Sequence, residues 1–241
     1  MSHTIDISSD LGREEFFKYP EFVETVDGTM KSDKRYSVVV NEEPKIQTAD
    51  YLVAFSGKSQ NYCVGTVDMV DSTRISATIG NAKIAKYYQI FLNSMSKVLG
   101  NFDAVVIKNI GDCLLYYFPD SNNSRYDFHK ALKCSISMID SHDMICEKLK
   151  EENLPKVDYR ISMDYGTIIK MSTTDSSKTD MIGPSINMCT KINRYAHKNG
   201  IVFGGDMYEM VKKLNGYDVR HIADYSVGFR NSYPVYSLAR Q

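Results

Sequence analysis

Long apolar runs and blocks of basic residues are both missing from this sequence. No apolar run approaches the roughly 18 residues that a membrane-spanning helix needs, and the N-terminus lacks the apolar core of a signal peptide. Lysine and arginine never form a block longer than two residues, and the net charge is −1. A nucleic-acid-binding surface usually needs more positive charge than this. We therefore expect no membrane and no nucleic acid among the partners of the chain.

Paired cysteine motifs are missing as well. The cysteines are five in number, which is odd, and none of them form a C-x-x-C pair: Cys63, Cys113, Cys134, Cys146 and Cys189. This pattern argues against a disulfide framework and against a zinc knuckle. A reducing compartment suits such a chain, and we expect a cytoplasmic location.

Composition indicates an ordinary globular protein. Hydrophobic residues make up 43% and charged residues 24% of the 241 positions, which excludes bulk disorder and collagen-like structure. Residues 1–48 differ from the rest because they are rich in Asp, Glu, Lys and Ser. We interpret them as a partly ordered N-terminal extension, with a short helix near Glu14–Thr25. Residues 49–241 are the predicted folded domain.

Strands and helices alternate from Tyr62 onward, according to the spacing of apolar residues. The predicted strands are Tyr62–Met69, Ala104–Ile110, Cys113–Phe118, Val157–Met163, Thr167–Met171, Ile201–Phe203, Val219–Ala223 and Val235–Leu238. The predicted helices are Ser76–Leu99, Tyr126–Lys150, Pro184–His197 and Asp206–Leu214. Gly111-Asp112 is predicted to turn one hairpin and Tyr165-Gly166 a second.

The predicted order is β-α-β-β-α-β followed by α-β-α-β-β. Its first block is the split βαβ unit of ferredoxin-like folds. We therefore expect an α+β, ferredoxin-like domain, with one antiparallel-rich sheet and its helices packed on one face.

Two acidic turns are the main chemical signal. Asp68 and Asp112 each follow an apolar, β-branched run, so each is predicted to lie at the end of a strand, where a fold presents carboxylates rigidly. Paired carboxylates suit Mg²⁺ or Mn²⁺, which prefer oxygen ligands and often share them with substrate phosphates. Asp71, Ser72 and Thr73 follow at once, and a polar turn that opens a helix offers backbone N–H groups to phosphate. The interpretation is a metal-dependent nucleotide site.

Four segments of the chain resemble, in order and spacing, the four core motifs of the class III nucleotide cyclase catalytic domain. The segments are Val67–Thr73, Val106–Phe118, Arg160–Gly166 and Asp180–Lys191. The resemblance spans roughly Tyr62 to Leu238 and implies the fold of that family, which includes adenylyl and guanylyl cyclases. It also implies that Asp68, Asp112 and the carbonyl of Met69 bind two Mg²⁺ or Mn²⁺ ions per site.

The same resemblance implies roles for the later motifs. Lys108 and Asp180 are similar to the pair that reads adenine in adenylyl cyclases, with Ile182 beside the base. Asn187 matches the asparagine that orients the ribose. Lys191 stands where the family usually has an arginine that contacts the triphosphate.

Lys191, four residues after Asn187, is therefore the first departure from the family pattern. Lysine keeps the positive charge but lacks the planar fork of arginine. The second departure is Val227-Gly228-Phe229-Arg230 in place of the frequent Lys-Gly, where Arg230 is a candidate phosphate ligand one position out of register. We expect both departures to affect the turnover rate more than nucleotide binding.

The resemblance further implies a head-to-tail homodimer. Lys108 and Asp112 lie too close in sequence to read the base and hold the metal of a single extended nucleotide, and in the family the cleft forms between two catalytic domains. The predicted reaction is conversion of ATP to 3′,5′-cyclic AMP. A guanylyl or a pyrimidine cyclase remains an alternative, since small pyrimidine cyclases of phage defence share similar Gly-Asp-Cys and Asp-Tyr-Gly turns. A non-catalytic nucleotide-binding domain that signals by dimerisation is the third alternative.

Overall fold

The computed structural model describes residues 53–119, 125–173, 180–226 and 232–240. The predicted N-terminal extension, including the helix near Glu14–Thr25, lies outside the described residues. The strands are β1 Val53–Met69, β2 Val105–Ile110, β3 Cys113–Phe118, β4 Tyr159–Thr173, β5 Asp180–Ile182, β6 Gly200–Gly204, β7 Tyr217–Ser226 and β8 Ser232–Arg240. The helices are α1 Ser72–Thr78, α2 Asn81–Asn101, α3 Arg125–Asp140, α4 His142–Glu151, α5 Pro184–Ile192 and α6 Gly205–Val211, with a 3₁₀ turn at Asn193–Tyr195.

All of these strands belong to one eight-stranded sheet. Its order is β2-β3-β1-β4-β6-β8-β7, and β5 pairs with β4 outside this path. The β4–β6 pair is parallel and every other pair is antiparallel. Because β1 pairs with β4 from Val53 to Met69, β5 and β6 share the opposite edge of β4. The expected antiparallel-rich sheet is confirmed.

Side chains alternate between the two faces of the sheet, and each face has its own core. On β1, Cys63 and Val67 pack into the larger core together with α2, α3, α4 and α6. Tyr62 and Val64 face the other way and pack against Ile186 and Cys189 of α5. The expectation that all helices cover one face is therefore wrong for α5. Its short buried stripe has the same pattern as the other helices, so the pattern could not indicate which face it covers.

Strand β4 is continuous, and the hairpin predicted through Tyr165-Gly166 is wrong. The strand pairs with β1 through both residues, and the chain reverses only between Thr173 and Asp180. Gly166 serves a close approach instead of a turn. A Cβ built on Gly166 would lie 3.3 Å from the Cβ of Ser185, so glycine lets the start of α5 pack closely on the strand.

Two predicted helices are each divided in the structure. The predicted helix Ser76–Leu99 is α1 and α2, which are separated at Ile79-Gly80, and Gly80 is the N-cap of α2. The predicted helix Tyr126–Lys150 is α3 and α4, which meet at Ser141. There the Ser141 hydroxyl donates to the Ser137 carbonyl oxygen at 2.8 Å, a side-chain bond that often accompanies a bend.

Candidate active site

Asp68 and Asp112 come together at one end of the sheet. Asp68 is the penultimate residue of β1, and its cross-strand partner on β3 is Cys113, which directly follows Asp112. Burial, and to a smaller extent the negative charge of Asp112, raise the pKa of the Asp68 carboxyl to about 6, although the positive charge of Arg160 lowers it. The two carboxylates are therefore close enough to repel each other.

The turn that carries Asp112 is the predicted β2–β3 hairpin. Ile110 pairs with Cys113, so Gly111 and Asp112 form the tip. Gly111 has a φ of +63°, in the left-handed region that glycine enters without strain. This tight turn places the Asp112 side chain beside the end of β1, where it is half-buried.

Arg160 completes this group, although the sequence analysis assigned it no role. It lies directly across from Asp68 in the β1–β4 pair. Its Nε atom is buried and has no hydrogen-bond partner among the described residues. A buried guanidinium nitrogen without a partner is costly, and an acceptor bound beside it would relieve that cost. The signal that reveals it is cross-strand register, which needs the correct pairing of β1 with β4.

The donor set at this end of the sheet fits a hard divalent cation. Asp68 and Asp112 would supply carboxylate oxygens, and Met69, the last residue of β1, would supply a backbone carbonyl, since its side chain is buried in the core. Mg²⁺ and Mn²⁺ prefer such oxygen ligands. A cation there would also relieve the repulsion between the carboxylates. Within the described ranges, no cluster of three or more His, Cys, Asp or Glu side chains forms a metal site made of protein side chains alone.

The predicted phosphate loop follows β1 immediately. Asp71 is the N-cap of α1 and has a φ of +59°, a conformation that aspartate tolerates better than most residues. Its carboxylate pairs with Arg74 at 3.3 Å and with Lys198 at 3.4 Å. The carboxylate is thus engaged by cations, which leaves the backbone N–H groups and the Ser72 and Thr73 hydroxyls as the groups suited to a phosphate.

Lys108 and Asp180 meet across the sheet. The Lys108 Nζ donates to Asp180 Oδ2 at 2.6 Å, although 72 residues separate them in sequence. The other oxygen, Asp180 Oδ1, accepts from the backbone N–H of Met181 at 2.8 Å, which holds the carboxylate in place. Ile182 is two residues further on β5, so it faces the same side as Asp180, and 39% of it is exposed. An exposed apolar side chain beside an oriented ion pair is suitable for the plane of a base.

Helix α5 carries the next predicted residues. Asn187 and Lys191 are both exposed and lie one turn apart on the same face. The Lys191 Nζ lies 5.9 Å from the centre of the Tyr225 ring on β7. Arg230, the other predicted phosphate ligand, lies outside the described residues.

A buried polar network fastens α5 and its 3₁₀ turn to the sheet. The hydroxyls of Thr66 and Ser162 are 2.6 Å apart, and the Ser162 hydroxyl also donates to the Cys189 carbonyl oxygen at 2.8 Å. The Asn193 amide donates to the Ser162 Oγ at 3.2 Å and to the Arg160 carbonyl oxygen at 3.3 Å. Satisfied buried networks of this kind specify one packing arrangement. The network therefore sets the position of α5 relative to the ends of β1 and β4.

A second acidic group lies at a break in the sheet. Strand β4 pairs with β6 at residues 160–163 and with β5 at residues 169–171. The part of β4 between these two pairings borders a cavity of about 550 Å³, and its lining includes Asp164, Asp206 and Tyr233. The Tyr233 hydroxyl lies 2.9 Å from Asp164 Oδ1 and 3.1 Å from Asp206 Oδ2. Burial, with a smaller contribution from the nearby Asp206 charge, raises the pKa of Asp164 to about 7, although hydrogen bonds from Tyr165 and Tyr233 lower it. From the sequence, Asp164 was assigned only to the Asp-Tyr-Gly turn and Asp206 only to the start of a helix, and Tyr233 had no role.

Among the described residues, no helix combines the length and the apolar character that a membrane span requires.

Comparison with known proteins identifies the family. The model of the adenylate and guanylate cyclase catalytic domain matches residues 56–240. The fold is similar to the adenylyl cyclase CyaB from P. aeruginosa, with a TM-score of 0.67 and 18% identity over 76% of this chain and 97% of that chain. It is also similar to the guanylyl cyclase Cya2, with a TM-score of 0.67 and 16% identity over 76% of this chain and 94% of that chain. Among curated protein sequences, none matches the chain.

A third structure has a bound nucleotide. The guanylate cyclase domain of RhGC from Catenaria anguillulae, in complex with GTP, has a TM-score of 0.63 and 13% identity over 76% of this chain and 99% of that chain. At these identities the likeness is one of fold. The resemblance stated from the four motifs is confirmed, and the similar structures include enzymes for both purine bases.

Proposed function

Because this chain belongs to the adenylate and guanylate cyclase catalytic domain family, we propose that it converts ATP to 3′,5′-cyclic AMP and pyrophosphate. The 3′-oxygen of the ribose attacks the α-phosphorus, the bond to the β-phosphate oxygen breaks, and the 3′-hydroxyl proton leaves. The observation that carries the choice of adenine is the 2.6 Å contact between Lys108 and Asp180. It puts one donor and one acceptor side by side.

Adenine presents the matching pattern on its edge. Lys108 donates to the ring nitrogen N1, and Asp180 accepts from the exocyclic amine N6. Guanine has an N–H at the first position and a carbonyl oxygen at the second, so both protein groups would lose their partners. Once the base covers these half-exposed side chains, each group left unpaired costs about 1–3 kcal/mol. Ile182 would pack against the plane of the base.

The remaining residues position the ribose and the phosphates. Asn187 orients the ribose, and Lys191 binds the triphosphate. Arg160 is a further candidate for the phosphates, because its buried Nε lacks a partner in the described part of the chain. Ser72, Thr73 and the backbone around Asp71 close the site on the metal side, and Arg230 remains a candidate from the sequence. Little covalent chemistry falls to the protein in phosphoryl transfer, so positioning and charge stabilisation dominate.

Two Mg²⁺ or Mn²⁺ ions held by Asp68, Asp112 and the Met69 carbonyl would supply the Lewis acidity that activates the 3′-hydroxyl and neutralises the leaving pyrophosphate. The residues fit this role because all three contribute oxygen donors at the adjoining ends of β1 and of the β2–β3 hairpin.

The active unit is a head-to-tail homodimer in this proposal. In the described part of the chain, no hydrogen bond or ion pair joins Asp68 or Asp112 to Lys108 or Asp180. Lys108 and Asp112 occupy the same strand and turn, which leaves no room for an extended nucleotide between them. One subunit would therefore give the metal ligands, and its partner the base and ribose contacts. Residues 49–241 would form this catalytic domain, with residues 1–48 as an extension.

The direct test is incubation of the purified protein with each of the four nucleoside triphosphates and Mn²⁺, followed by separation and mass analysis of the products. Cyclic AMP as the main product supports the proposal, with Asp112→Asn as the inactive control. Faster formation of cyclic GMP, cyclic UMP or cyclic CMP would replace the adenine assignment. No product from any nucleotide, by a protein that dimerises, would favour the non-catalytic signalling domain.

A further inference from the structure

Lys191 and Arg194 share one aromatic ring. The Lys191 Nζ lies 5.9 Å from the centre of the Tyr225 ring, and the Arg194 guanidinium carbon lies 5.4 Å from it. Both cations are exposed and three residues apart, so they lie on the same face of the chain as it leaves α5. The ring therefore brings two positive charges together at the end of the helix that carries Asn187.

Among the side chains that the structure describes, no carboxylate balances these two charges. Within the described ranges, neither cation forms an ion pair with an acidic side chain, whereas Lys198 nearby pairs with both Asp71 and Asp158. The polar contact of Arg194 is with a phenol, the Tyr195 hydroxyl at 3.4 Å. Two like charges gathered on an aromatic ring repel each other, and an anion with several oxygens would relieve that repulsion.

The backbone that carries Arg194 is held firmly. Arg194 lies in the 3₁₀ turn Asn193–Tyr195, and the side chain of the preceding Asn193 is buried and bonded to Ser162 and to the Arg160 carbonyl. The anchored Asn193 leaves Arg194 pointing outward from the sheet beside Lys191. Preorganised cations of this kind bind phosphate at a lower entropic cost than free ones.

We propose that Arg194 is a catalytic residue that binds the triphosphate of the substrate together with Lys191, and that Tyr225 positions both cations. The inference rests on the proposed nucleotide cyclase function and adds a guanidinium that the motif comparison does not assign. Lysine at position 191 supplies a point charge, whereas Arg194 supplies the planar fork that grips two phosphate oxygens at once. The fork is thus displaced by about one turn along the chain, from position 191 to position 194.

Kinetics with the preferred nucleoside triphosphate test the proposal. Arg194→Ala should lower kcat/KM by about 10- to 100-fold, the loss expected for charged hydrogen bonds, and Arg194→Lys should recover only part of it. Lys191→Arg in the Arg194→Ala background should recover at least about threefold, because it returns a guanidinium to the same face. Arg220→Ala is the matched control, since Arg220 is an exposed arginine on β7 that already pairs with Asp218 at 2.5 Å.

A second measurement does not depend on turnover. Inorganic tripolyphosphate, titrated calorimetrically into the protein with Mg²⁺, should bind about tenfold more weakly to Arg194→Ala than to wild type and equally well to Arg220→Ala. Tyr225→Leu should weaken tripolyphosphate binding with an unchanged melting temperature, and Tyr225→Phe should not. If wild-type protein cyclises no nucleotide, the proposed function fails, and this titration still tests the phosphate site.

Three results would overturn the inference while leaving the cyclase assignment intact. The first is an Arg194→Ala enzyme within about twofold of wild type. The second is a loss of turnover with unchanged affinity for tripolyphosphate. The third is a double variant Lys191→Arg/Arg194→Ala that is no better than Arg194→Ala alone.

Discussion

Lys108 on β2 and Asp180 on β5 form an ion pair at 2.6 Å, with 41% and 27% of their side chains exposed. The contact joins two short strands that are not neighbours in the main path of the sheet, since β5 pairs with β4 while β2 pairs with β3. Such a half-exposed pair contributes little to stability because solvent screens it. In the proposed function, the pair presents a donor and an acceptor at a fixed spacing to the base.

Base preference should depend on this pair. Lys108→Glu combined with Asp180→Cys should weaken the preference for ATP over GTP by about five- to 150-fold for each of the two pairings lost, because one pairing contributes about 1–3 kcal/mol. The measurement is the ratio of kcat/KM for the two nucleotides. Lys86→Ala, which removes an exposed lysine that pairs with Glu152 at 3.7 Å, should leave the ratio unchanged. An unchanged ratio in the double variant would show that other side chains read the base.

Metal-dependent turnover should require both acidic residues at the strand ends. Asp68→Asn and Asp112→Asn keep the size of the side chain and remove its charge, so each should abolish cyclisation at saturating Mn²⁺. The fold should remain intact, because both residues are only half-buried at the rim of the sheet. Circular dichroism and melting temperature check the fold. An Asp112→Asn enzyme that retains nearly the wild-type rate would contradict the assignment of Asp112 as a metal ligand.

Mixed dimers should regain activity if each site uses residues of both subunits. Asp68→Ala and Asn187→Ala subunits are each expected to be inactive. Random equal mixing should restore up to about a quarter of the wild-type sites, since half of the dimers are mixed and each of these has one intact site. The assay follows activity against mixing ratio, with heterodimers verified by two different affinity tags. Confirmed heterodimers without activity would indicate that both residues serve a site within one subunit.

The stability of the protein should decrease as the pH rises from about 4 to about 7, in part because of Asp164. Burial and the Asp206 charge raise the pKa of Asp164 to about 7 in the folded protein, whereas the unfolded value is about 3.9. Between these limits the folded state keeps a proton that the unfolded state has lost. The folded state is therefore favoured most at the acidic end of the window, and this stabilisation is gone once the pH exceeds about 7.

Asp164→Asn should reduce that slope. The amide resembles the protonated acid, and its oxygen can still accept from the backbone N–H of Tyr165, which donates to Asp164 at 2.9 Å in the wild type. The free energy of unfolding at pH 8 should equal or exceed that of the wild type, as measured by urea titration across the pH range. Asp218→Asn, which changes a carboxylate on β7, is the comparison variant. An Asp164→Asn protein with the full wild-type slope would place the titrating group elsewhere.

Much of this architecture could be predicted from the sequence, because local patterns determine it. The β2–β3 hairpin around Gly111-Asp112 and the strand that ends at Met69 follow from short apolar runs and one turn signal, and the structure confirms both. The motif resemblance named Lys108 and Asp180 as a base-reading pair, but it did not predict that the two side chains contact each other. The roles of the site residues remain predictions.

What the sequence could not indicate depends on contacts between distant segments. Gly166 was interpreted as part of a turn, whereas the structure uses it to admit Ser185 of α5 against a straight strand. Glycine is favoured both in turns and at close approaches of two segments, so only the tertiary contact distinguishes these two uses. Arg160 was missed for a similar reason, since its proximity to Asp68 requires the register of β1 against β4.

The opposite orientations of neighbouring residues on β1 have an evolutionary consequence. Cys63 and Val67 point toward the four-helix side, while Thr66 and Asp68 point toward α5 and the acidic rim. Adjacent codons along this strand are therefore under different selection, one for packing in the larger core and the next for packing against α5 and, at Asp68, for the proposed chemistry. Substitution at Cys63 or Val67 should lower abundance in the cell by disturbing the larger core, substitution at Tyr62 or Val64 should do so by disturbing the packing of α5, and substitution at Asp68 should lower turnover at nearly unchanged abundance.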